Sequence, residues 1–134
     1  DYLMMQHRKH PAFDGTFDIT ISSHQLFING KLQDTTEATF QALERELNIR
    51  KKDLISEPKN LGFVYYKAKD PKSEFTEHEI DDILTIEVKK IPIPNLDFAY
   101  GISLVKKNEL SNKKSRIYNN LAPWVKVMIE KKMI

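Results

Sequence analysis

Residues 16–47 read TFDITISSHQLFINGKLQDTTEATFQALEREL, and this stretch decides the fold. Phe17, Ile19 and Ile21 alternate with Asp18 and Thr20, so an extended segment has one apolar and one polar face. Ser22-Ser23-His24-Gln25 breaks the alternation, and Leu26-Phe27-Ile28 resumes an apolar run. Asn29 and Gly30 both tolerate positive φ, which a two-residue hairpin turn demands, and Lys31-Leu32-Gln33 returns from it. Asp34 or Thr35 caps a helix, with Glu37 placed three residues after Asp34 to answer the cap. Phe40, Leu43 and Leu47 then share one helical face. The segment predicts strand, turn, strand, tight turn and helix.

Outward from this segment the signals vary in strength. Residues 1–15 show no periodicity and read as a short lead-in, partly helical over Tyr2 to Met5. Asn48 is a helix end, and Arg50-Lys51-Lys52 supplies cations suited to a helix C-terminus. Leu61 to Ala68 (LGFVYYKA) is aromatic and β-branched and predicts a strand. Lys69 to Ser73 has loop composition. Phe75 to Asp82 is polar and acidic, a poor strand with room for one helical turn from Thr76. Ile83 to Val88 alternates and predicts a strand. Ile91-Pro92-Ile93-Pro94 lacks the donors of a central strand and predicts a crossing or edge segment. Phe98 to Val105 reads as extended with a bulge at Gly101, and residues 106–120 as a polar, lysine-rich loop. Pro123 could open a helix, but Val125, Val127 and Ile129 alternate with Lys126, Met128 and Glu130, which predicts a strand over 124–129. The expected architecture is one α+β domain over 1–134, an antiparallel sheet packed against one main helix at about 36–47.

Composition narrows the function. The hydrophobic content of 40% and charged content of 30% fit an ordinary globular domain. The chain has no cysteine, which excludes disulfides, thiolate chemistry and cysteine-ligated zinc, and fits a reducing, cytoplasmic setting. No apolar run approaches the roughly 18 residues that span a bilayer, so no membrane partner is expected. Charge is segregated: residues 53–88 hold 4 Lys/Arg against 9 Asp/Glu, and residues 89–134 hold 10 against 3.

Candidate chemistry is sparse. His7 and His10 are three apart, but Pro11 follows and no carboxylate stands at ligand spacing, so no metal is expected. His24 falls in a turn. The acidic run Glu74, Glu77, Glu79, Asp81 and Asp82 lacks the spacing of a calcium loop or of a paired acid and base. It suits a contact surface for a basic partner, where charge speeds association. Lys106, Lys107, Lys113, Lys114 and Arg116, near Tyr118 and Trp124, raise nucleic-acid binding without any accompanying recognition motif. There is no Gly-x-Ser-x-Gly elbow and no phosphate-binding glycine loop. The expectation is a non-enzymatic binding protein without cofactor. The alternatives are a nucleic-acid-binding accessory domain using the basic loop, and a small ligand-binding or enzymatic domain. The last requires a concave site between helix and sheet.

The strand at Phe17–Ile21, the Leu26–Lys31 hairpin and the helix after it, with the later strands Leu61–Tyr66 and Leu84–Val88, carry a resemblance. Over about residues 16–90 this order resembles the small immunity proteins of bacterial toxin systems. The resemblance implies binding and neutralising one cognate toxin in the same cytoplasm, with no catalysis, cofactor or metal. Nuclease toxins often present basic clefts. The implied contact residues are therefore Glu74, Glu77, Glu79, Asp81 and Asp82, with Tyr65 and Tyr66 as anchors.

Overall fold

The structure, a computed structural model, describes residues 2–134. In chain order it runs β1 (Tyr2–Arg8), β2 (Phe17–Ile19), β3 (Phe27–Ile28), β4 (Lys31–Leu32), α1 (Thr35–Leu47), β5 (Lys59–Lys69) and β6 (Thr76–Thr85). β7 (Ala99–Lys106), α2 (Lys107–Leu110), α3 (Arg116–Asn119) and α4 (Pro123–Glu130) complete it. The fold is α+β with antiparallel pairing throughout its named strands. A three-stranded sheet has the order β2-β1-β7, and β3-β4 and β5-β6 form separate ribbons. Among the described residues no helix is long and apolar enough to cross a membrane.

The central sheet is covered on both faces. On one side Met4 of β1 and Ile102 of β7 pack with Leu43, Leu47 and Ile49 from α1 and the residues after it. On the other, Met5 and Val105 join Val64, Tyr66, Trp124, Val125 and Met128. Successive residues of β1 therefore serve opposite cores, and the strand carries no polar–apolar alternation. This is why residues 1–15 look like a lead-in. The helical turn expected over Tyr2 to Met5 is instead a strand, paired with β7 from Tyr2↔Lys106 to Arg8↔Ala99.

The decisive stretch behaves locally as its chemistry dictates. Asn29 (φ 51°) and Gly30 (φ 75°) make the hairpin turn between β3 and β4. The Asp34 side chain accepts from the backbone N–H groups of Thr36 and Glu37, and Asn48 ends α1 in the left-handed conformation. Ile91–Pro94 is irregular, as its prolines require. In β7 the bulge lies beside Gly101: His7 opposes Gly101 and Arg8 opposes Ala99, which leaves Tyr100 over.

Four expectations are corrected. Residues 76–82 form a strand, because Glu77, Glu79 and Asp81 fall on one face of the β5–β6 ribbon and His78, Ile80 and Asp82 on the other. The strand expected over Ile83 to Val88 ends at Thr85, and Val88 retains only an isolated bridge to Leu54. The 106–120 loop contains two short helices, α2 and α3, and Leu110 of α2 is buried. Residues 124–129 are helical. Pro123 takes the first helical position, where its missing N–H costs nothing, and buried Trp124, Val125 and Met128 share one helical face. α1 is thus the longest of four helices, and α4 packs on β5.

Candidate functional site

A cleft of about 1100 Å³ opens between α1, the Ser22–Gln25 turn and β6. Its helical wall includes Thr35, Ala38, Thr39 and Ala42, and its far end includes Trp124 and Met128. The β5–β6 ribbon contributes unequally. Glu77 and every residue from Glu79 to Thr85 line the cleft, whereas β5 supplies Leu61 and Tyr66. The hollow therefore runs along β6.

Strand alternation sets the chemistry of this wall. Glu77, Glu79 and Asp81 stand at every second position on the half-buried side of β6. The neighbouring strand places Tyr66 directly opposite Glu79, and Tyr66 Oη donates to Glu79 Oε2 at 3.3 Å. Glu77 and Asp81 flank Glu79 at the alternate positions of the strand, so three acidic side chains crowd one face. Burial, followed by the charge of Glu79, pushes Asp81 up to about 7. Burial likewise raises Glu77, with the neighbouring Glu79 carboxyl adding to the effect. Burial and the charges of Asp81, Glu79 and Glu77 raise the Tyr66 phenol, which stays protonated. At the mouth, His24 is largely exposed, and its Nε2 lies 3.6 Å from Glu79 Oε1.

Beside the carboxylates sits a polar knot built around the buried Asp18, Arg8 and Trp124. Asp18, 1% exposed, accepts from Arg8 Nη1 (3.2 Å), Trp124 Nε1 (3.0 Å) and Ser22 Oγ (2.6 Å). Arg8 also donates through Nη2 to the Ala12 carbonyl at 3.1 Å and lies 4.9 Å from the centre of the Trp124 ring. Arg8, Asp18 and Trp124 all line the cleft, so the knot forms part of its floor. His10, beside it, is lowered by burial and then by the Arg8 charge.

The structure divides the residues expected at the contact surface. Glu77, Glu79, Asp81 and Tyr66 come together in the cleft. Glu74 is exposed in the turn before β6. Asp82 alternates to the other face of the β5–β6 ribbon yet still reaches the cleft rim, whereas Tyr65 lies outside the cleft, its Oη 2.7 Å from His78 Nε2. Sequence reasoning missed Arg8, Asp18, His24 and Trp124 as parts of one site. The legible signal was the period-two spacing of Glu77, Glu79 and Asp81, which a helical turn would have scattered.

The arrangement can receive positive charge, and it can hold and release a proton near neutrality. Among the described residues no three His, Asp or Glu side chains form a group that could hold a metal ion. A scan against protein-family models finds no match to this chain, and a search of curated proteins finds none either. The fold and the site together define an α+β protein with a carboxylate-walled cleft.

Proposed function

We propose that this protein is a non-enzymatic binding module that takes a positively charged ligand into the cleft beside β6. The observation that carries the reading is the alignment of Glu77, Glu79 and Asp81 on one wall, where Asp81, pushed up to about 7, exchanges its proton for an incoming cation near neutrality. Walls contributed by α1 and the central sheet add apolar surface, including Ala38, Ala42, Leu43 and Leu47, for the rest of the ligand. Titration with spermidine tests it, read through Trp124, the sole tryptophan and a cleft residue. Protons compete with the cation for Asp81, whose carboxyl titrates at about 7. Affinity should therefore be fully developed above that pH and fall about tenfold per unit below it. Asp81→Asn should weaken binding at pH 8 and flatten the dependence. Affinity that is flat between pH 5.5 and 8.5 would remove the carboxylates from the site.

The finer form of the reading follows from the resemblance to immunity proteins: the cationic ligand is a surface of a cognate toxin, and binding neutralises it in the cytoplasm. Coexpression with a toxin encoded beside this gene should restore growth. The combined variant Glu77→Gln, Glu79→Gln, Asp81→Asn should restore it poorly. Undiminished growth arrest with the unaltered protein would end the toxin assignment while leaving the cleft intact.

One observation favours a second reading, a small-ligand or acid–base domain: a carboxyl titrating near neutrality stands beside a protonated tyrosine in a cleft. Tight spermidine binding without toxin neutralisation supports this alternative.

A further inference from the structure

The edge of β6 that faces the cleft carries no strand. β6 pairs along its length with β5, from Lys59↔Thr85 to Lys69↔Thr76, and among the described residues with no other strand. A ten-residue strand paired on one side presents alternate N–H and C=O groups along its other edge. Natural folds usually shield such edges with prolines, bulges or a covering segment. Here the edge opens into a hollow of about 1100 Å³, at the upper end of the volumes that hold single small molecules.

We infer that the ligand of this cleft is an extended basic peptide segment that adds to β6 as a third strand. The inference rests on the reading of the cleft as a cation-binding site and names the ligand's class. Three features fit this occupant. A strand laid at about 4.8 Å from β6 points every second side chain to the carboxylate face. Lysines at alternate positions would therefore meet Asp81, Glu79 and Glu77 in succession. The intervening side chains fall on the other face, beside the exposed Ile80, where an apolar residue is accommodated. Main-chain carbonyls also supply what a polyamine or a bare cation lacks. Arg8 lines the same cleft with its side chain 8% exposed, and its Nε–H has no acceptor among the described residues. Strand addition takes its affinity from backbone pairing and its specificity from alternate side chains, the two resources this wall offers.

The probe is a fluorescein-labelled peptide Lys-Val-Lys-Val-Lys-Val-Lys, compared with two N-methylated analogues of equal charge. One is N-methylated at residues 3, 5 and 7, the other at residues 2, 4 and 6. In an added strand only one of these sets turns its N–H groups toward β6. One analogue should therefore lose at least tenfold in affinity, and the other should bind like the parent. Equal binding by all three would show that charge alone acts, and strand addition would be wrong. Spermidine binding without peptide binding would also overturn it while leaving the cleft reading standing. If neither probe binds at pH 8, both readings fall.

Discussion

Replacing Asp18 by alanine should cost about 3–5 kcal/mol of folding free energy, because it leaves the Arg8 guanidinium buried without its counter-charge. The loss also strips the acceptor from Trp124 Nε1, which is buried, and from Ser22 Oγ at the exposed edge of the knot. For a domain of this size the midpoint should fall by at least about 10 °C, readable by circular dichroism. The control is the double variant Arg8→Met, Asp18→Leu. Removing both charges together should recover much of the loss, since an apolar pair avoids the uncompensated ion. A single-variant loss below about 1 kcal/mol would mean that the knot is hydrated and open, contrary to an Asp18 exposure of 1%.

Trp124→Ala should be of similar size, about 3–5 kcal/mol, for a different reason. The ring is 4% exposed and touches both ends of the core. It meets Phe13 edge-on at 5.6 Å and Tyr66 at 5.5 Å, and lies beneath Arg8. Deletion leaves a void that α4, fixed at Pro123, has little freedom to fill. Trp124→Phe separates volume from hydrogen bonding. It keeps most of the ring and forfeits the donor to Asp18, and should cost about 1–2 kcal/mol in urea unfolding. Equal losses for the two variants would show that the indole contributes through its N–H alone. Combining Trp124→Ala with Asp18→Ala should give less than the sum of the two, because both act on one network.

How much of this was legible depended on whether a segment's neighbours were local. The Asn29-Gly30 hairpin, the Asp34 cap, the Asn48 stop and the aromatic strand at β5 answer to chemistry within a few residues, and each was readable. β1 was not, because a strand covered on both faces loses its alternation, and Gln6 and Arg8 gave it a polar look. α4 was misread because Val125, Val127 and Ile129 put β-branched residues at every second position, although only Val125 belongs to the buried helical face with Trp124 and Met128, and Pro123 carried the better signal. The acidic strand was misread for the opposite reason. Its alternation was present, but carboxylates are poor strand formers, and only the cleft explains why they face inward. The site had little chance of being assembled from sequence, since Arg8, Asp18, Tyr66, Glu79 and Trp124 come from five elements spread over most of the chain.

The pairing of β1 with β7 sets a schedule for the molecule's birth. Partners as far apart in sequence as Tyr2 and Lys106 cannot meet until the ribosome has made everything between them, and Asn95 reaches back to the Arg45 and Glu46 carbonyls of α1 across about fifty residues. Closure of so long a loop is entropically slow, so the nascent polypeptide completes its central sheet only late in synthesis.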